Sequence, residues 1–167
     1  MKYLNIIRHA DAEAQSLVKK DFFRNLTDTG EKDLKVLDEH LIQYDFKKHK
    51  IICSASLRTK QTLNSLKMSL NPESKVFYSN DIYLGTFKTL LSYILLEENN
   101  AHMLTIIAHN PGVSDLLSYV TGEYETRDMG TSAIASVIID SKKASTLEGS
   151  GKLQFYVQSK NNIIIDL

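Results

Sequence analysis

The sequence predicts a three-layer α/β/α sandwich around a mostly parallel, mixed six-stranded sheet. Short apolar runs alternate with segments of helical periodicity through the first two thirds of the chain, and two apolar runs follow each other near the end. Alternating strands and helices are typical of a parallel sheet covered on both faces, and consecutive strands add an edge of different direction. The 167 residues fit a single domain, residues 1–167.

Six short apolar runs are predicted to be strands. They are Tyr3 to Ile7, Ile51 to Cys53, Lys75 to Tyr78, Met103 to Ala108, Ala133 to Ile139 and Leu153 to Val157. The small, polar stretch from Ser141 to Gly151 indicates a hairpin loop between strands five and six. Asn161 and Asn162 interrupt the final apolar stretch.

Four segments are predicted to be helices. The first runs from Asp28 to Tyr44, because Leu34, Leu37 and Leu41 recur at helical spacing and Thr27 can cap its N-terminus. The other three are Ser56 to Ser69, Phe87 to Glu98, and one that begins at Val113 and reaches Val120.

The composition excludes several classes of protein. Hydrophobic residues make up 43% and charged residues 24% of the chain, as in globular proteins, which disfavours disorder and fibrous structure. The 20 basic and 20 acidic residues balance, so no overall charge favours nucleic acid or an anionic membrane. No apolar run is long enough for a signal peptide or a bilayer span, and we expect a cytoplasmic protein. The single cysteine, Cys53, is expected to be a buried hydrophobic residue.

Three polar groups come directly after three of the predicted strands. Arg8 and His9 follow the first, Arg58 lies just beyond the second, and His109 follows the fourth. Ligands of open α/β sheets bind outside the carboxyl ends of the strands. We therefore expect a positively charged cleft suited to a phosphate-like anion. The other three histidines lie in polar surroundings and are expected at the surface; they are His40, His49 and His102.

Five segments, in order, resemble the histidine phosphatases, and among these the small SixA-like phosphohistidine phosphatases. They are residues 4–12 (LNIIRHADA), 24–30 (RNLTDTG), 54–62 (SASLRTKQT), 108–113 (AHNPGV) and 131–137 (TSAIASV). The resemblance implies a phosphoglycerate mutase-like fold. Ala10 replaces a glycine of the opening signature, and Gln15 stands where larger relatives carry asparagine.

The resemblance also implies roles for individual residues. His9 matches the nucleophile, and Arg8, Arg58 and His109 match groups that bind phosphate. Arg24 falls where SixA-like proteins place a further basic residue. Neither a metal nor another cofactor is expected.

The mechanism expected of these residues is transfer of a phosphoryl group to His9, followed by hydrolysis of the phospho-enzyme. Asp81 is the candidate general acid, although a solvated loop carboxylate is the simpler interpretation. The segment between Thr62 and Met103 has no room for a lid. An open site with a weak acid favours a phosphohistidine-bearing protein, such as a phosphorelay or phosphotransferase component.

Two alternatives stay open at this point. The same residues would serve a phosphatase of small phosphoesters, or a phosphate-binding regulatory module without turnover. A mutase needs a closed site to retain its intermediate, and the short chain argues against it.

Overall fold

Seven strands form one continuous sheet within the residues that the computed structural model describes, namely 1–18, 20–97, 101–124, 128–140 and 146–166. The strands are β1 (Tyr3–Arg8), β2 (Lys50–Ser54), β3 (Lys75–Ser79), β4 (Met103–Ala108), β5 (Ala133–Ile139), β6 (Gly151–Lys160) and β7 (Ile163–Asp166). Their spatial order is β3-β2-β4-β1-β5-β6-β7. The first four strands in that order are parallel, and each of the last three pairs antiparallel with its neighbour.

Helices cover both faces of this sheet, so the predicted three-layer α/β/α architecture is confirmed. The helices are α1 (Asp28–Leu41), α2 (Leu57–Leu66), α3 (Phe87–Glu97) and α4 (Gly112–Thr121), with a 3-10 turn at Asp21–Phe23. One apolar core joins α1 and α2 to the face that carries Ile7, and the other joins α3 and α4 to the face that carries Leu4 and Ile6. Thr27 caps α1 as predicted, because its side chain accepts from the N–H of Gly30.

The sheet has one strand more than predicted. Asn161 and Asn162 both have positive φ, 53° and 62°, and they form the tight turn of a hairpin between β6 and β7. Two such residues suit a turn whose twist matches that of its strands. The interruption of the last apolar stretch is therefore a turn between two strands.

Most predicted element boundaries agree closely with the structure, but two helices are shorter than expected, and β6, predicted as Leu153 to Val157, runs from Gly151 to Lys160. The α1 and α2 helices end at Leu41 and Leu66, not at Tyr44 and Ser69. Glu98 and the first five residues of the predicted 141–151 loop lie outside the described residues. The antiparallel pairing of β5 with β6 agrees with a hairpin connection there.

A line of buried polar side chains crosses the middle of the sheet. His49 donates from Nδ1 to the carbonyl oxygen of Lys47 (2.6 Å), and its Nε2 lies 2.7 Å from the hydroxyl of Thr105. Asn5 donates to that hydroxyl (3.1 Å) and accepts from Ser136 (2.8 Å). The prediction of a surface position for His49 was wrong, because its polar sequence neighbours do not reveal that it packs against β4.

The remaining predictions of burial are confirmed. His102 is exposed and His40 is partly exposed. Cys53 is fully buried, and burial raises the pKa of its thiol to about 12. Among the described residues, the helices all lack the length and apolar character needed to cross a bilayer.

Candidate active site

The two predicted site histidines lie side by side because of the sheet register. β1 and β4 are parallel neighbours, and Arg8 pairs with Ala108. The residues that follow these two strands, His9 and His109, therefore emerge together at the carboxyl edge, with ring centroids 5.0 Å apart.

The hydrogen bonds of His9 define its tautomer. Nδ1 lies 2.7 Å from the carbonyl oxygen of Ala10, which can only accept, so Nδ1 carries the hydrogen. Nε2 accepts from Nε–H of Arg58 across 3.2 Å, so Nε2 holds a lone pair. Burial lowers the pKa of His9 to about 4, against the bond to Ala10, and the charges of Arg58 and Arg8 lower it further. The imidazole is therefore neutral near pH 7.

Arg58 is the second residue of α2, and its side chain is almost completely buried, with 2% exposed. Besides its bond to His9, the guanidinium donates from Nη1 to the backbone oxygen of Asp21 (2.8 Å) and from Nη2 to the Asp21 carboxylate (3.1 Å). Each of its three nitrogens thus has a protein partner. This fixed orientation keeps a permanent positive charge against the imidazole of His9.

Arg24 and Arg8 supply further positive charge. Nη2 of Arg24 forms an ion pair with the Asp21 carboxylate (2.7 Å), and Nη1 bonds to the carbonyl oxygen of Glu13. Nη1 of Arg8 donates to the carbonyl oxygen of Met129 (2.6 Å). Within the described part of the chain, the Nε atoms of both arginines are buried without a partner. Such donors suit an oxyanion, which accepts several hydrogen bonds at once.

His109 completes the set of basic groups. Its Nε2 lies 2.9 Å from the hydroxyl of Ser54, and its Nδ1 is buried without a partner among the described residues. Burial lowers the pKa of His109 to about 2, and the neighbouring His9 and Arg58 act in the same direction. The ring of Tyr83 meets that of His109 edge to face, 5.5 Å away.

No family model matches the chain, and no curated protein matches it. Solved structures do match. The protein histidine phosphatase SixA in complex with tungstate is 24% identical, with a TM-score of 0.78 over 94% of this chain and 96% of that one. A protein of Agrobacterium tumefaciens assigned as phosphohistidine phosphatase SixA is 19% identical, with a TM-score of 0.78 over 93% and 97%. A mycobacterial glucosyl-3-phosphoglycerate phosphatase is 11% identical, with a TM-score of 0.67 over 92% and 97%.

The chain has the histidine phosphatase fold. At these identities the likeness establishes the architecture, and the resemblance predicted from five sequence segments is confirmed at that level.

In this histidine phosphatase fold, most of the predicted site residues come together. His9 contacts Arg58 and lies beside His109, while Arg24 reaches Arg58 through the carboxylate between them. Arg8 contributes charge from the end of β1. Gln15, at the position of the relatives' asparagine, is exposed.

Asp81 stands apart from these contacts. It is exposed, its carboxylate accepts from the hydroxyl of Tyr93 (2.9 Å), and its backbone N–H donates to Ser79. The carboxylate that does contact site arginines is Asp21, which the sequence analysis missed. Its only sequence signal is its place three residues before Arg24, an i,i+3 spacing for an ion pair on a helical turn.

Residues of the resembling segments bond to one another just after Arg24 in the chain. The side-chain Oε1 of Gln61 accepts from the backbone N–H of Leu26 (2.9 Å), and the hydroxyl of Thr27 donates to the carboxylate of Asp11 (2.6 Å). A Cβ on Gly30 would lie 2.3 Å from the backbone oxygen of Asp11, so this close approach requires glycine.

Proposed function

We propose that the chain is a phosphatase in which Nε2 of His9 accepts a phosphoryl group from the substrate and passes it to water. The observation that carries the proposal is the neutral tautomer of His9, with a hydrogen on Nδ1 and a lone pair on Nε2 beside Arg58. A neutral imidazole held against guanidinium charge is a competent nucleophile towards phosphorus.

The proposed reaction has two in-line steps. The Nε2 lone pair forms a bond to phosphorus while the bond to the leaving group breaks, and its electron pair departs with the leaving atom. Water then attacks phosphorus, the P–N bond returns its pair to Nε2, and inorganic phosphate is released. Because phosphoryl transfer needs mainly positioning and charge stabilisation, Arg8, Arg24 and Arg58 supply the main protein contribution.

We propose that His109 donates a hydrogen bond to a phosphoryl oxygen. The hydroxyl of Ser54 can donate to Nε2 of His109, which leaves the hydrogen of the neutral ring on Nδ1. That Nδ1 is the buried atom without a partner among the described residues. His109 thus adds a donor without adding a charge.

The proposed substrate is a phosphohistidine on a protein, and in support of this the tungstate-bound structure is named a protein histidine phosphatase. The imidazole leaving group of phosphohistidine can carry its own proton, so it depends little on a general acid. Asp81 is the candidate acid for poorer leaving groups, but it is exposed and bound to Tyr93. Asp21 is a poor donor: burial alone would raise the pKa of its carboxyl, but Tyr83 and Arg58 lower it to about 2.

The secondary structure between α2 and β4 agrees with a protein substrate. Between α2 and β4 the described residues form β3 and α3 and no further helix or strand. A phosphorylated side chain on another protein can reach such a site from outside, whereas a small metabolite is usually enclosed by its site.

The test compares substrates on the purified chain. A small protein phosphorylated on histidine with phosphoramidate should release phosphate much faster than phosphoserine or 3-phosphoglycerate. Rapid quenching should trap acid-labile, base-stable phosphate on His9. Faster release from a small phosphoester would overturn the proposed substrate, and binding of phosphate without turnover or trapped phosphate would indicate a regulatory module.

A further inference from the structure

We propose that Asp21 is a displaceable carboxylate that pairs with Arg58 and Arg24, so that a phosphoryl group binds to these arginines by exchanging with it. The inference rests on the proposed function, because it assigns the same two arginines to the phosphoryl group. It makes Asp21 a specificity-determining residue of that site.

The Asp21 carboxylate bridges the two arginines. Its Oδ1 lies 2.7 Å from Nη2 of Arg24, and its Oδ2 lies 3.1 Å from Nη2 of Arg58. The hydroxyl of Tyr83 donates to the same Oδ2. A planar carboxylate thus takes the charge-assisted hydrogen bonds that the oxygens of a tetrahedral oxyanion would otherwise accept.

The hydrogen bond between Arg58 and His9 must also change when phosphorus is bound. Nε of Arg58 donates to Nε2 of His9, the atom that must bond to phosphorus. When that bond forms, the lone pair of Nε2 is used and the hydrogen bond from Arg58 breaks. The Arg58 guanidinium must then turn its donors to phosphoryl oxygens, and its two bonds to Asp21 compete with that change.

Electrostatics requires the carboxylate to leave when the oxyanion arrives. Asp21 is ionised at neutral pH, since Tyr83 and Arg58 outweigh the effect of its burial. A phosphoryl dianion on the same two guanidiniums would lie within a few ångströms of this negative charge, and at such distances like charges repel strongly. Rotation of the Asp21 side chain towards solvent relieves the repulsion, and that side chain is already 24% exposed.

The location of Asp21 permits this movement. It lies on the three-residue turn Asp21–Phe23, and residues 14–18 and Lys20 before it are exposed.

The exchange favours ligands of high charge. A dianion with three oxygens interacts more strongly with the two guanidiniums than the Asp21 carboxylate that it displaces. A monoanionic carboxylate only replaces the carboxylate already present. We therefore expect selection of phosphoryl dianions over carboxylates.

The experiment measures oxyanion affinity directly, with the full chain and tungstate as the probe in isothermal titration calorimetry at fixed ionic strength. Asp21→Asn keeps the shape of the side chain and removes its charge. It should bind tungstate about tenfold more tightly than the wild type, since no charged competitor remains. Tyr83→Phe keeps the charge but removes one donor to it, and should increase the affinity by a smaller factor.

The matched control is Asp45→Asn, which removes an exposed carboxylate paired with Lys47 and should leave the affinity unchanged. Unchanged or weaker binding by Asp21→Asn would overturn the proposal and indicate that Asp21 only orients the arginines. If that variant does not fold, the direction of the Tyr83→Phe effect decides in the same way. Because binding needs no turnover, an exchange that is observed without phosphatase activity would overturn the proposed function alone.

Discussion

Nε of Arg58 donates a hydrogen bond to Nε2 of His9 across 3.2 Å. Together with the bond from Nδ1 to the carbonyl oxygen of Ala10, it fixes both ring nitrogens of a buried imidazole. Ala10 therefore orients the imidazole of His9, the proposed nucleophile, and Arg58 keeps a positive charge beside the ring that disfavours its protonation.

Replacement of the nucleophile should abolish the phospho-enzyme. His9→Asn cannot form a P–N bond of this kind, and we expect phosphate release to fall on the order of a thousandfold or more. Rapid-quench labelling and steady-state release of phosphate measure both effects. His102→Asn, at an exposed histidine, is the control and should behave as the wild type. Trapped acid-labile phosphate in His9→Asn would place the nucleophile elsewhere.

The tautomer and the protonation of His9 can be observed by nitrogen NMR. Because burial lowers the pKa of His9 to about 4, the ring should stay neutral from pH 8 to about pH 5 and take up its proton only near pH 4. At neutral pH, Nδ1 should show the shift of a protonated nitrogen and Nε2 that of an unprotonated one. Protonation of His9 near pH 6.5 would contradict the assignment.

Arg58→Lys tests the geometry of the guanidinium rather than its charge. A lysine ammonium cannot contact Nε2 of His9, the backbone oxygen of Asp21 and the Asp21 carboxylate in the same directions. We expect turnover to fall about a hundredfold and the free energy of unfolding to fall by about 1–3 kcal/mol, as buried partners lose their bonds. Arg24→Lys, at a more exposed position, should reduce the free energy of unfolding by less. Equal losses in the two variants would show that the buried contacts of Arg58 add no extra stability.

Acid should destabilise the fold at mildly acidic pH. Burial is the main cause that lowers the pKa values of three histidines, namely His9, His49 and His109. In mild acid the unfolded chain therefore binds protons that the folded chain does not bind. Their contribution to the free energy of unfolding is fully present above about pH 6.5, the pKa of histidine in the unfolded chain. As the pH falls from there towards the pKa in the folded protein, each contribution declines by up to about 1.4 kcal/mol per pH unit. Urea unfolding at pH 8, 6.5 and 5 measures this. His49→Gln should reduce the change of the free energy of unfolding with pH. The same change in that variant as in the wild type would show that His49 does not contribute to it.

Asp81→Asn distinguishes between a general acid and a solvated loop carboxylate, the two interpretations of Asp81. If Asp81 protonates poor leaving groups, the variant should hydrolyse phosphoserine more slowly, with a much smaller effect on phosphohistidine, whose leaving nitrogen carries its own proton. The ratio of the two rates is the measurement. Equal effects on both substrates would show that Asp81 acts through structure, by its bond to Tyr93.

The elements that the sequence predicted well are those whose pattern is local. Met103–Ala108 and Ala133–Ile139 were predicted to the residue, because each buried strand is a short run of mostly apolar residues. β7 was missed because it has only four residues and follows β6 after a two-residue turn. The turn residues, Asn161 and Asn162, were recognised as a break but not as a hairpin.

In the site too, some features follow from the sequence pattern and others depend on contacts between distant residues. His9, Arg58 and His109 follow strands whose carboxyl ends share an edge, so topology alone brings them close. The contacts of Asp21 with Tyr83 cross 62 positions of sequence, and no local pattern encodes them. Burial of His49 is likewise decided by a contact with Thr105, 56 positions away.

The buried polar line through Asn5 and Thr105 has a consequence for folding. The central strands are apolar on both faces, so hydrophobic burial alone tolerates a slip of one strand along its neighbour. A slip would leave the amide of Asn5 without its bonds to Thr105 and Ser136, which is costly in a dry interior. This interior amide thus selects one alignment of β1 between β4 and β5, and that alignment sets where the imidazoles of His9 and His109 lie along the edge of the sheet.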